Sequence, residues 1–212
     1  MSTVASLGLL SDLAEAQAGL LTARQAEEIG VPRRDLTRLA QSGSLEHVAY
    51  GVYRVAGAPR PRFLELRAAW LQLAPGVVVD RRTVGNGVVS HASAALVHGV
   101  GLLEPMRYEF TVPPPRRMRS RRNDVAIHQA PLHHTEIVWT KEILATTPAR
   151  LVNDLAAQNT DGDHLAGVVA DVWQRSMATR RELISALAPH TSRYGQFTGG
   201  SQFLDHLLST AS

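Results

Sequence analysis

The chain has 212 residues, 44% of them hydrophobic, a mean hydropathy near zero (−0.08) and a formal net charge of +3. That length suits one large domain or two small ones with a substantial core, and no window approaches eighteen consecutive apolar residues, so no membrane-spanning helix is expected. Cysteine is absent, which removes disulfides and thiol catalysis and leaves histidine and carboxylates as metal ligands. The opening MSTVASLGLLSDLAEAQ lacks a basic n-region and carries Asp12 and Glu15, unlike a secretory signal, so a cytoplasmic location is expected.

In chain order, helical spacing runs from Leu9 to Gln17. Thr22 with Gln25 makes a capping box for a helix to Ile29, stopped at Gly30. Pro32 suits the first position of the next helix and Gly43 the position after its end. LEHV and VYRV, joined by Ala49-Tyr50-Gly51, read as a hairpin. The Ala58–Arg62 segment APRPR is a break, because two prolines fix an extended path and lack donors. These features divide the chain into a domain at 1–57, a linker at 58–62 and a domain at 63–212. The second domain starts with a helix from Phe63 to Leu73. Residues 77–79 (VVV), 108–112, 125–128 and 136–139 read as strands. Ser90 opens a helix to His98, Thr147-Pro148 one to Ala157, and a further helix spans His164 to Arg175. Thr179 with Glu182 caps another to Leu187, and Gln202 to Leu208 forms the last. The class is α+β: an N-terminal winged helix-turn-helix, then a larger mixed α/β domain with a helical C-terminal part.

Of the 22 basic residues only Lys141 is a lysine, a bias that a GC-rich genome alone produces. Charge is uneven. Residues 1–62 hold seven basic and six acidic groups, 63–125 nine and five, and 126–212 six and eight. The first two thirds are the part suited to a polyanion.

Within VPRRDLTRLAQSG, Val31 to Gly43, Arg33 and Arg34 stand in the first turn of a helix, where the backbone dipole disfavours cations. On a helical wheel Leu36, Leu39 and Ala40 share one side. Arg34, Thr37, Arg38 and Gln41 share nearly the opposite side, with Asp35 at its margin. Those side chains suit a major groove: arginine pairs with guanine, glutamine with adenine, and threonine touches a methyl or phosphate. Arg33 and Arg34 would meet phosphate together with the unpaired N–H groups of the helix start. The two helices around Gly30-Val31 make a helix-turn-helix, and the hairpin a wing. Arg54 on the wing, and Arg60 and Arg62 beyond it, are placed to reach flanking phosphates. A merely solvated amphipathic helix has the same pattern, so periodicity leaves both readings open.

The run GLLTARQAEEIGVPRRDLTRLAQSGSLEHVAYGVYRV resembles the N-terminal winged-helix domain of AbiEi-type antitoxins of type IV toxin–antitoxin systems. Leu20–Gln25 resembles the family's first helix start, Arg33–Leu45 its arginine-rich second helix, and Gly51–Arg54 its hairpin close. VVSHASAALVHGVGLLEP, EFTVPPPRR, VAIHQAPL and ILATTPARLVNDLA are similar to segments of the family's C-terminal domain. The resemblance covers roughly residues 8 to 190. It implies a bacterial antitoxin that neutralises a partner nucleotidyltransferase toxin and represses its own operon by binding operator double-stranded DNA. It implies operator contacts at Arg33, Arg34, Thr37 and Arg38. Related N-terminal domains occur fused to nuclease-like domains. No carboxylate-rich nuclease motif is present, which favours the stand-alone antitoxin.

Three other constellations bear on function. RRMRSRR carries Arg116, Arg117, Arg119, Arg121 and Arg122, a basic patch suited to DNA phosphates or an acidic toxin surface. His128, His133 and His134 lie close in sequence, and His91 and His98 share a helical face. Neither spacing is a standard zinc set, so no metal or other cofactor is expected, and DGDH at 161–164 reads as a turn and N-cap. An enzymatic alternative is an unconventional phosphotransferase acting on the toxin. It has no GxxxxGKS or GxxxxGKT loop, only Lys141 as lysine, and Asp154 as its candidate acid. A second alternative is a plain winged-helix repressor with a ligand or dimerisation domain.

Overall fold

The computed structural model describes residues 3–211, apart from Arg121 and Glu142. The chain divides into two compact units, the first ending at Gly87 and the second beginning at Val88. Among the described residues no helix is long and apolar enough to cross a membrane.

The first unit runs α1 (Thr3–Glu15), β1 (Leu20–Thr22), α2 (Ala23–Glu28), α3 (Arg33–Gln41), β2 (Leu45–Ala49), β3 (Val52–Val55) and α4 (Leu64–Leu73). Its strands form an antiparallel sheet in the order β1-β3-β2. Successive side chains of a strand point to opposite faces, and that alternation builds two cores. Leu21 and Leu45 face Leu10, Ala14, Leu36 and Leu39, beneath α1–α3. Leu20 and Val52 face Leu64, Ala68 and Leu71 of α4. The sheet is thus held between the helix-turn-helix and α4, and α4 belongs with the first unit. The expected helix from Leu9 starts earlier, at Thr3, and Pro32 is the cap residue before α3 rather than its first turn. Gly43 follows α3 with φ +76°, the left-handed conformation glycine adopts without steric cost.

Two segments differ from the sequence expectation. Leu20–Thr22 is a strand as well as a cap: Thr22 accepts from Gln25 N at 3.1 Å and donates to Pro75 O. Residues 77–79 are not a strand. The Val77 carbonyl accepts from Gln25 Nε2 at 3.1 Å and the Val79 N–H donates to Gln17 Oε1 at 3.1 Å. Gln17 and Gln25 are buried and exchange reciprocal amide hydrogen bonds. This buried polar network satisfies the valine backbone that a sheet would otherwise pair. It also binds residues up to 79 to the first unit, so the Ala58–Arg62 segment runs within that unit and the chain divides at Gly87.

The second unit holds a five-stranded mixed sheet in the order β6-β5-β4-β8-β7. Its strands are β4 (Val88–Val89), β5 (Tyr108–Val112), β6 (Val125–Gln129), β7 (Ile137–Thr140) and β8 (Ile143–Thr146). β4 pairs parallel with β8 and antiparallel with β5, and β5 pairs parallel with β6. The helices are α5 (His91–His98), α6 (Pro148–Ala157), α7 (Gly162–Gln174), α8 (Arg180–Leu187), α9 (Thr191–Tyr194) and α10 (Gly200–Thr210). Caps at Thr147, Asp161 and Thr179 start α6, α7 and α8, and Gly99 ends α5. At Gly200 a Cβ would lie 2.4 Å from the Ile184 carbonyl oxygen and 3.1 Å from Ala188 Cα. Only glycine permits that approach of α10 to α8.

The C-terminal end of α5 collects cations. Lys141 Nζ donates to Val97 O at 2.7 Å, and Arg175 donates to Gly99 O at 2.7 Å and His98 O at 3.3 Å. These satisfy end carbonyls and oppose the dipole. His98 Nε2 lies 2.7 Å from Thr146 O, so it carries its proton there. Burial holds this imidazole below its ordinary 6.5, and Lys141 and Arg175 add to that effect. The unfolded chain takes up a proton near 6.5 and the folded chain resists it, so stability falls as pH drops below that value. Thermal unfolding should shift to lower temperature between pH 7.5 and 5.5, and shift less in His98→Gln. An unchanged pH slope in the variant would contradict this assignment.

Candidate nucleic-acid interface

The α3 face follows from its core side. With Leu36 and Leu39 fully buried, 100° per residue turns Arg34, Thr37, Arg38 and Gln41 outward and leaves Arg33 on the flank, and all five are exposed. Asp35 is buried at the margin and lies 3.9 Å from Arg34 Nε and 3.8 Å from Arg38 NH1. One carboxylate in the first turn therefore offsets the helix start and faces two guanidinium groups at the limit of pairing. Arg34 and Arg38 remain 81% and 62% exposed. Arg33 differs: its Nε donates to Glu27 Oε1 at 2.6 Å, linking α3 to α2. Thr37 Oγ1 donates back to Arg33 O at 3.1 Å. The surplus positive charge on this face thus sits at Arg34 and Arg38.

The wing is short and braced. Its two-residue tip, Tyr50-Gly51, is tied down by Gln72 Nε2 donating to Tyr50 O at 2.8 Å and Ala23 N donating to Gly51 O at 2.8 Å. The Tyr50 side chain is exposed at the tip, an aromatic group that the hairpin reading named only as a loop residue. Arg54 does not reach outward. Its guanidinium pairs with Glu46 across the β2–β3 register (2.8 and 2.6 Å), donates to Ala58 O, and is 15% exposed. That hydrogen bond also holds the Glu46 carboxyl below the usual range. Arg60 bridges Glu46 at 3.4 Å and Glu65 at 3.2 Å, and the Arg62 guanidinium lies 5.2 Å from the Phe63 ring centre. The residues expected at flanking phosphates thus already bind within the unit, Arg54 most firmly.

In the second unit, Arg116, Arg117 and Arg119 are exposed on the segment between β5 and β6. Arg122 is not part of a free patch: it pairs with Asp124 through two hydrogen bonds, at 2.8 and 2.5 Å, and lies 5.8 Å from the Tyr108 ring centre. Arg121 lies outside the described residues. Asp154, the acid of the enzymatic alternative, is buried with its Oδ1 at 2.7 Å from Arg150 Nε. Burial pushes its pKa up against the opposing pull of Arg150. Arg150 also meets Glu136 at 2.9 Å, so this is an internal ion cluster.

The histidine groupings suggested by spacing are replaced by another. Among the described residues, His91, Glu109 and His128 bring ligand atoms within 4.8 Å of one another. They come from α5, β5 and β6, with Glu109 and His128 two positions apart in register across the β5–β6 pair and so on one face of it. His128 Nε2 lies 3.2 Å from Glu109 Oε1, and the His91 and His128 rings stack with centres 3.8 Å apart. Burial, aided by His128, lowers the His91 pKa to about 4, so its imidazole is neutral at pH 7. Burial works against ionisation of Glu109, but hydrogen bonds from His128 and Gln158 outweigh it and lower its pKa.

Residues 9–56 match the family described as transcriptional regulator, AbiEi antitoxin. The crystal structure of the RV2827C protein from Mycobacterium tuberculosis is similar in fold, with a TM-score of 0.57 at 18% identity, covering 96% of this chain and 76% of that one. No curated protein matches the sequence.

Proposed function

We propose that this chain, whose residues 9–56 match the AbiEi antitoxin family of transcriptional regulators, binds operator double-stranded DNA through α3. On this reading it represses its own operon and neutralises a partner toxin of the nucleotidyltransferase class in the cytoplasm. The observation that carries it is the α3 face: Arg34, Thr37, Arg38 and Gln41 are exposed together, on a helix fixed by two buried leucines and followed by a braced wing. Arg34 and Arg38 supply bidentate donors for base edges or phosphates, and Gln41 matches adenine. The AbiEi match, together with a distinct α+β second unit, supports assigning toxin neutralisation to residues 88–212. Arg116, Arg117 and Arg119 are the candidate contacts there for an acidic surface.

Co-expression tests the antitoxin half. A nucleotidyltransferase encoded beside this chain should arrest growth when expressed alone and be tolerated when this chain is also expressed, and Arg116, Arg117 and Arg119 changed together to alanine should weaken the rescue. Growth arrest unaffected by the chain would overturn the antitoxin reading and favour a plain repressor.

A further inference from the structure

We propose that His91, Glu109 and His128 form a binding site for a divalent transition-metal ion of the zinc type. Two imidazoles and one carboxylate are a ligand set such ions take, with nitrogen and oxygen about 2.0–2.2 Å from the metal. Two ligands at those distances in tetrahedral geometry stand roughly 3.3 Å apart. The His128 Nε2 to Glu109 Oε1 separation is 3.2 Å, and a ring nitrogen of His91 lies within 4.8 Å of both, so a small shift of the His91 ring closes the set.

The surroundings favour an ion over a simple hydrogen bond. His91 is buried and has φ +53°, a conformation rare outside glycine that holds its ring over His128. Its Nδ1 is engaged by Ser90 Oγ at 2.9 Å, and that oxygen also accepts from Thr111 Oγ1 at 2.8 Å. This chain of hydroxyls orients the ring and leaves Nε2 as its ligating nitrogen, as outer partners of metal-bound histidines do. Glu109 is oriented likewise, since its Oε2 accepts from Ala92 N at 2.9 Å. The Gln158 amide lies 3.2 Å from Glu109 Oε1 and 3.4 Å from His128 Nε2, donating toward the point where these two converge. Gln158 is exposed, and rotating its amide turns Oε1 to the same point as a fourth ligand. A half-exposed His128 gives the ion its path in. The groups that orient the three ligands are a hydroxyl that accepts from His91 Nδ1–H, a backbone N–H and an amide, so each ligand keeps a free electron pair for an ion.

The experiment uses the untagged full chain, stripped with chelator, and Co²⁺ as a spectroscopic probe. Visible d–d absorption should saturate at one Co²⁺ per chain and be displaced by Zn²⁺, with Mg²⁺ ineffective. His128→Gln and Glu109→Gln should each weaken binding beyond the roughly 10–100-fold typical of outer-shell changes, and Ser90→Ala should fall within that range. His133→Gln with His134→Gln should bind as the parent does. Zn²⁺ should also raise the unfolding temperature of the parent and not of His128→Gln, a readout independent of DNA or toxin binding. No Co²⁺ or Zn²⁺ binding by the folded parent would overturn the proposal and leave a plain Glu109–His128 hydrogen bond. Binding undiminished in both ligand variants would overturn it equally.

Discussion

Changing Arg34 and Arg38 together to alanine should weaken binding to the DNA upstream of the operon by at least about 30-fold, since each good base contact contributes roughly 1–3 kcal/mol. The slope of log K against log salt should also become shallower, by nearly one for each phosphate that is no longer neutralised. Both side chains are exposed and share one distant carboxylate, so the double variant should fold as the parent does and still rescue toxin-arrested cells. Fluorescence anisotropy across a salt series measures both quantities. Arg33→Ala should cost less, because its guanidinium already pairs with Glu27. Arg54→Ala should act differently again: it removes the hydrogen bonds to Glu46 and Ala58 and lowers the stability of the wing. If Arg54→Ala weakened DNA binding as much as the α3 pair without loss of stability, the division of labour among these arginines would be wrong.

The second large effect is at Arg82. This side chain is buried, and its guanidinium donates to Trp70 O at 2.6 Å, Leu71 O at 2.9 Å and Ala74 O at 2.9 Å, while lying 4.4 Å from the Trp70 ring centre. It closes the C-terminal end of α4, whose last carbonyls have no partners within the helix and whose dipole favours a cation there. Trp70 is fixed from the other side by Nε1 donating to Gly87 O at 2.7 Å. Arg82→Met keeps much of the volume but removes three buried hydrogen bonds from a charged donor, at roughly 1.5–3 kcal/mol each before relaxation, although the Leu71 and Ala74 carbonyls still accept from Ala74 N and Val77 N. The first unit should lose about 3 kcal/mol or more. Urea unfolding of the full chain, followed by hydrogen exchange of the α4 amides, measures the loss. Because α4 supports the sheet that carries the wing, DNA affinity should fall in parallel. A change under about 0.5 kcal/mol, the scale of ordinary surface substitutions, would show that Arg82 does not hold this unit together.

Local signals in the chain foretold local structure. Thr22 with Gln25, Thr179 with Glu182, Thr147 before Pro148 and Gly99 each mark a helix end where the structure has one. The α3 face was legible for the same reason, since a wheel needs only consecutive residues. Partners distant in sequence were not legible. Residues 77–79 have strand composition, but their backbone is claimed by Gln17 and Gln25, more than fifty residues earlier. β4 has two residues and β8 is buried throughout, so neither shows an alternating pattern. Arg54 looked like a wing arginine because register, not spacing, sets Glu46 opposite it. His91, Glu109 and His128 are scattered over 38 positions and meet only when α5 is laid against β5 and β6.

The central claim is that α3 lies in the DNA groove, and a photo-crosslinking residue at position 41 tests it most directly. Gln41 is exposed at the end of α3, on the face of Arg34 and Arg38. Irradiation of this protein with the upstream duplex should give a protein–DNA adduct that unlabelled upstream duplex competes away and that disappears when Arg34 and Arg38 are alanine. A duplex that is bound by the position-41 protein but forms no adduct would place the DNA elsewhere and contradict the account.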